Sequence, residues 1–552
     1  MRRRQLVALG IACASALPGM LQALEKDIVL EGFNPSSPYC DTIRFLLLKP
    51  KADRFEKKGD FREVAVLDDG RGKELTYKVW MQKKPAPLAF IIPGLGGHCA
   101  SVQEAGLAEV LFDKGYSVAA LSSPFNWEFV TAASTVIVPG HTPRDAEDMY
   151  AVMQAVRADI REEYGEDAVT KTALMGYSLG AIEALFIARI DEAERKMGFE
   201  RILAINPPVN LLHGLIQLDD LFKVWTNWSE AQLDAVKVKA MKIYNIYSAK
   251  GSLLEAGLLI EPAEAKFAIG YTFHRTLGET IKAIHSRKDY GFLKNPYSRW
   301  SSERLDKEIE RYLFSDYVLT FVKAAYSNLW LTAQPVHKLN AEASIFTLEK
   351  MLERNDRVRV LHSRDDFLLT DDDRLWLDNV LGDRIVFFDH GAHLGFLYHE
   401  QAQEAIAGMM TNGSVPASLK RAGGGVARQA WTRPSVAPGP AQPAQAAPKP
   451  AQAAPADSGV ITEPTRTGDG PAPPSPGAGQ AIKRPLPAAE EAAAHRELPP
   501  ISNVNVAVTV NVQAPSNAPP VRETTKQAIH VDEDEKKIKI MHDITLEYEK
   551  GE

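Results

Sequence analysis

Between residues 63 and 206, short apolar runs alternate with longer stretches of helical periodicity. Residues 74–82 alternate apolar and polar side chains, which predicts an antiparallel strand with one buried face. Residues 88–92 are apolar without a break, the pattern of a strand covered on both faces. Residues 100–114 read as a helix and 117–121 as a strand. Thr142 opens a further helix as its N-cap, followed by Pro143 and acids in the first turn. Residues 173–175 and 201–206 are two more buried strands. This rhythm predicts an α/β domain with a mostly parallel sheet and helices on both faces. From about 208 to 355 the rhythm stops. Helix-like patterns rich in aromatics, among them Phe222, Trp225, Phe273, Tyr317, Phe321 and Trp330, take its place. Lying between two core strands, they form a cap insertion, and their aromatic spacing is that of ordinary core. Strands at 357–362 and 384–388 and a helix near 400–410 then complete a domain over residues 25–412.

Outside that domain the composition changes. Residues 1–24 have the form of an export signal: Arg2, Arg3 and Arg4, then a moderately apolar core too short to span a bilayer permanently. Cleavage follows Ala16 or Ala23, and Cys13 lies in a weak lipidation context. The expected location is therefore the periplasm or envelope. Residues 413–527 are dominated by Pro, Ala, Gly, Ser and Gln, too poor in apolar side chains to offset backbone ordering, which predicts a disordered linker. Residues 504–512 carry a faint strand pattern inside it. Residues 528–552 form a charged end segment, either a solvated tail or a short element that contacts an envelope or protein partner.

The chain has 552 residues and a net charge of −7, with no concentrated basic face, which argues against nucleic acid as a partner. Its 3 cysteines exclude a disulfide scaffold and a cysteine-rich zinc module. In the exported protein Cys40 and Cys99 either pair or stay as free thiols. No metal-ligand motif occurs, and neither a metal nor a cofactor is expected.

The chemistry centres on Gly176-Tyr177-Ser178-Leu179-Gly180, which sits between a buried strand and a helix. A serine at the tip of so tight a turn needs glycine two residues away on each side, where a side chain would strike the neighbouring elements. Downstream, Asp366 follows one predicted strand and His393 the next, with Asp365 and His390 as the alternatives. In this arrangement His393 takes the Ser178 proton, Asp366 orients the imidazole, and the amides of Leu95 and Leu179 bind an oxyanion. His98, His141 and His362 read as structural.

Pro93-Gly94-Leu95-Gly96-Gly97, the Ser178 motif, Asp365-Asp366-Phe367-Leu368 and Gly391-Ala392-His393-Leu394-Gly395-Phe396 stand in the order found in α/β-hydrolases, which the chain resembles over about residues 60–410. Thr142 to Met149 and the last two motifs resemble the branch holding medium-chain ester hydrolases and their YheT-like relatives. Phe367 stands where that branch has proline, and Ala392 where it has glycine. The resemblance implies a serine hydrolase that cleaves a carboxylic ester, with a small-molecule or lipid ester as substrate. An acyltransferase using the same acyl-serine and a non-catalytic binding module tethered by its tail are the alternatives.

Overall fold

The structure is a computed structural model describing residues 27–67, 73–236, 238–239, 260–298, 303–326, 335–419, 421, 522–531 and 538–547. The leader with Cys13, the faint strand pattern at 504–512 and nearly all of the 413–527 stretch lie outside the described residues, as does Trp330.

The strands are β1 (Asp60–Ala65), β2 (Glu74–Trp80), β3 (Ala86–Ile92), β4 (Ser117–Ala120), β5 (Val169–Tyr177), β6 (Arg201–Ile205), β7 (Val358–Ser363) and β8 (Ile385–Phe388). They form one sheet in the order β1-β2-β4-β3-β5-β6-β7-β8. β2 runs antiparallel to both its neighbours, and every pair from β4 to β8 is parallel. A mostly parallel sheet with an antiparallel second strand and helices on both faces is the α/β-hydrolase fold. The unbroken apolar runs have a simple cause. Phe90, Leu174, Ile202 and Val360 pack into the core on one face of the sheet. Their chain neighbours Ala89, Ile91, Met175, Leu203 and Leu361 pack into the core on the other. Because side chains alternate along a strand, a strand covered on both sides must be apolar at every position.

The helices flanking the sheet include α1 (Val102–Phe112), α2 (Thr142–Tyr164), α3 (Leu179–Glu194), the helix Asp371–Leu381 and α4 (Glu400–Asn412). Thr142 is not the cap of α2 but its first residue, and its hydroxyl donates to the Ala343 carbonyl at 3.1 Å. The cap position is His141, and the Asp145 carboxylate in the first turn reaches back to accept the Gly140 amide at 2.7 Å, bracing the loop that enters the helix.

The stretch from Asp27 has no strand or helix signal in the sequence, yet it is built into the domain. Ile28 extends the sheet beside β8, donating to the Phe387 carbonyl at 2.8 Å and accepting from the Asp389 amide at 3.0 Å. Arg364 holds Asp27 through two contacts of 2.7 Å. The short helix Pro38–Ile43 then lies against the loop after β8, where the Thr42 hydroxyl accepts the His393 amide at 3.2 Å.

Between β6 and β7 the chain forms helices that include Leu211–Lys223 and Pro262–Arg287. Their aromatics pack on one another: Phe321 meets Phe292, Tyr312 and Tyr317, and Phe222 stacks on His274 at 3.8 Å. Separately, Arg522–Val531 and Ile538–Glu547 pair as two antiparallel strands, and the first of these strands begins inside the stretch read as linker.

One buried group works against stability. Glu183 on α3 is fully buried, and neither of its carboxylate oxygens has a hydrogen-bond partner among the described residues. Burial, then the nearby Asp145 and Asp148, raise its pKa well above the ordinary 4.5. An acid that holds its proton more tightly when folded stabilises most at low pH and loses that contribution as pH rises past 4.5 toward the raised value. Glu183→Gln should therefore melt close to the wild type at pH ~4.5 and be more stable by about 1–3 kcal/mol at pH ~8. Melting curves at the two pH values test this, and equal differences at both would refute it.

Candidate active site

Ser178 closes β5 and starts α3, with φ 55° and ψ −122°. A non-glycine residue held there is strained, and the fold keeps it so because both flanking glycines are required. A Cβ on Gly176 would fall 2.0 Å from the Gly180 carbonyl oxygen. One on Gly180 would fall 2.2 Å from the Ile92 carbonyl oxygen. The turn therefore closes only without side chains at these two positions.

The Ser178 hydroxyl lies 2.8 Å from His393 Nε2. On the far side of the ring, His393 Nδ1 is 2.8 Å from Asp366 Oδ2. A carboxylate only accepts, so Nδ1 carries the proton and Nε2 faces the hydroxyl as a free acceptor. Burial alone would raise the Asp366 carboxyl, but the imidazole of His393, then His362 and the Asn206 amide, hold it well below the usual carboxylate range. Its other oxygen accepts the Leu368 amide at 2.9 Å. Asp365, the alternative acid, faces elsewhere: it accepts the Ala392 amide at 2.7 Å and so braces the histidine loop. His390, the alternative base, stands 3.8 Å from Asp365. Ala392 and Leu394, on either side of His393, have φ of 50° and 69°.

The loop after β3 crosses above the serine. A Cβ on Gly94 would come within 3.1 Å of Ser178 Cβ, so the loop backbone itself borders the hydroxyl. In that loop the Gly96 amide donates to Ser123 Oγ at 3.3 Å and the Gly97 amide to the Gly94 carbonyl at 3.0 Å. Among the described residues the Leu95 amide has no protein acceptor. Leu179 is the first residue of α3, and an amide at that position has no acceptor within the helix. The loop is anchored by His98, whose Nε2 lies 3.2 Å from Glu128. Cys99 and then Glu128 push the His98 pKa up to about 10. From the residue before the serine, the Tyr177 hydroxyl donates to fully buried Glu104, whose carboxyl burial pushes up to about 7.

The surroundings are apolar. Leu95, Leu179, Tyr39, Ile43, Phe273 and Phe367 pack against the core of the insertion. Phe367 puts its ring 6.1 Å from that of His393 and 5.1 Å from Tyr39. From the insertion, the side chain of Thr276 lies so close to Gly96 that a Cβ there would meet it at 2.2 Å. Ser178 and His393 are only 7% and 4% exposed.

The remaining residues singled out from the sequence lie away from the hydroxyl. His141 Nε2 is 3.2 Å from Glu342. His362 is buried behind Asp366, 3.8 Å from its Oδ2, and burial pushes its pKa down to about 4. Cys40 and Cys99 are free and buried, the first against the Ile260 carbonyl and the second against that of Thr76. Among the described residues no group of His, Cys, Asp and Glu is arranged to hold a metal. Sequence reasoning missed Asn206, Thr42 and Glu104. Only Asn206 carried any local signal, as a polar residue ending a buried strand just before two prolines.

No protein-family model and no curated protein matches the chain. Among solved structures, the thioesterase domain from the curacin biosynthetic pathway is 13% identical, with 64% of this chain and 99% of that one covered, at a TM-score of 0.31. An esterase of Pyrobaculum calidifontis is 14% identical, with 68% and 92% covered, at 0.34. The 2,6-dihydroxy-pseudo-oxynicotine hydrolase is 11% identical, with 66% and 69% covered, at 0.35. Likeness of this order leaves the chemistry of the site to its own distances.

Proposed function

We propose that the chain is a serine hydrolase of the α/β-hydrolase superfamily, in the branch with medium-chain ester hydrolases and YheT-like proteins, that cleaves a carboxylic ester with an apolar acyl group. The observation that carries this is the unbroken relay from the Ser178 hydroxyl through His393 to Asp366, with 2.8 Å at each step. Ser178 Oγ attacks the ester carbonyl as its proton passes to His393 Nε2, and the amides of Leu95 and Leu179 take the charge on the carbonyl oxygen. His393 then returns the proton to the departing alkoxide, leaving an acyl-serine. Water attacks that ester as His393 takes its proton, the acyl–Oγ bond breaks as His393 returns the proton to Ser178, and the carboxylic acid leaves. Asp366 keeps Nδ1 protonated throughout and offsets the charge of the imidazolium. The apolar residues around the serine favour a lipid or other acyl ester. The same relay weighs against a purely binding role.

The leader-like residues 1–24 support action outside the cytoplasmic membrane, and the charged end of the chain is suited to hold an envelope or protein partner. The testing experiment is fluorophosphonate labelling of the full chain beside Ser178→Ala. Labelling that is lost in the variant, together with ester turnover that is lost with it, is expected. A folded wild type that takes no label and turns over no acyl ester would refute the proposal.

A further inference from the structure

We infer that Asn206 is a positioning residue of this site: its amide ties the Asp366 carboxylate to the backbone just before His393 and shares the carboxylate oxygen that the histidine uses. The inference rests on the serine-hydrolase reading above and adds a residue to its machinery.

Asn206 immediately follows β6, the strand between the one that delivers Ser178 and the one that leads to Asp366. Its side chain is fully buried. Nδ2 donates to Asp366 Oδ2 at 2.7 Å and to the Ala392 carbonyl at 3.2 Å, with His362 Nδ1 at 3.3 Å. The same Oδ2 accepts His393 Nδ1–H at 2.8 Å. One amide group thus links the acid, the turn that carries the base, and the end of β7.

Two features argue that this contact is more than filling. The backbone of Asn206 has φ 48°, a left-handed conformation that is costly for most side chains and least so for glycine, asparagine and aspartate. Its Oδ1 is buried with no hydrogen-bond partner among the described residues. The site therefore keeps a strained residue with an unsatisfied acceptor, and only its two N–H groups repay that cost.

The electrostatic consequence has a definite sign. Two N–H groups on Oδ2 divide its charge. Without Asn206, more of that charge acts on His393 and favours the imidazolium, so a higher pH is needed to free the base. The other groups around the pair stay in place. His362 stands 3.8 Å from Oδ2. The Leu368 amide holds Oδ1 at 2.9 Å, and Arg374 holds the Asp366 carbonyl at 2.8 Å. Asp365 holds the Ala392 amide and faces His390. Asp41, on the helix whose Thr42 receives the His393 amide, pairs with Arg44 at 3.2 Å.

The test compares wild type, Asn206→Gly and Asn206→Ala, with melting curves to establish folding. Glycine suits the left-handed backbone, so its variant removes the amide with the least strain. The rate of fluorophosphonate labelling is followed against pH. The expected result is an acid limb displaced to higher pH, so that labelling is slowed roughly threefold more on that limb than on the plateau. An unmoved limb, or an equal loss at every pH, would overturn the inference while leaving the hydrolase reading intact. A wild type that is never labelled at Ser178 would instead overturn the hydrolase reading. In that case the titration of His393, followed by NMR of 13C-labelled histidine and assigned with His393→Ala, decides the matter without turnover. A titration point raised in the variants supports the tie, and an unchanged one refutes it.

Discussion

Asp366→Asn is expected to lower kcat/KM for an acyl ester by on the order of 10,000-fold, whereas Asp365→Asn should cost less than about tenfold. The two residues are adjacent and chemically identical, so only their surroundings separate them. Asp366 Oδ2 accepts His393 Nδ1–H at 2.8 Å. An asparagine there can present its own N–H to the ring, and the imidazole then turns its proton toward Ser178, where it cannot act as a base. The geometry survives and the tautomer is wrong, which is why the loss is large without unfolding. Asp365 instead accepts the Ala392 amide at 2.7 Å, and asparagine retains an oxygen that can accept the same bond. Steady-state kinetics on a short acyl ester, with melting curves for both variants, tests the pair. Equal losses at the two positions, or a larger loss at Asp365, would reject the assignment of the acid.

Gly180→Ala is expected to leave little folded protein, or to cost about 3 kcal/mol or more where folded protein is recovered. The added Cβ would meet the Ile92 and Pro93 carbonyl oxygens at 2.2 and 2.4 Å. Both are main-chain atoms at the end of β3, so no side-chain rotation relieves the clash. Either α3 moves away from the sheet, taking Ser178 with it, or the Gly94–Gly97 loop shifts. Labelling of Ser178 should fall along with stability. Gly214→Ala on the helix Leu211–Lys223 is the control: a Cβ there meets nothing within 4 Å, and the change should be neutral or stabilising by up to about 1 kcal/mol. Urea unfolding of the two variants gives the comparison. Similar midpoints for both would show that the elbow tolerates a side chain and that its glycines have another cause.

How far the sequence could be read follows from the range of each contact. The buried strands were legible because covering both sides of a sheet makes every position apolar, a pattern contained within five or six consecutive residues. The glycines around Ser178 were legible because their clash partners lie within the turn or at the end of β3, next to the loop that crosses the serine. The first residues of the domain were not legible: Ile28 gains its place through Phe387, Asp389 and Arg421, all far along the chain. The cap of α2 was misread because Thr142 already lies inside the helix, its hydroxyl donating to the Ala343 carbonyl, a partner that sequence order does not bring into view.

The sequence by itself determined the strand–helix alternation, the sharp turn at Ser178 and the order of serine, acid and histidine, because each is encoded in periodicity or spacing along a short stretch. Only the tertiary structure decided which of two adjacent aspartates meets the imidazole, that Thr42 and Asn206 hold that pair, and that buried Glu104 takes the hydroxyl of Tyr177. Those contacts join residues brought together by strand order. The physical reason is that a side chain's partner across the sheet is chosen by the packing of the whole domain, and no local pattern in the chain records it.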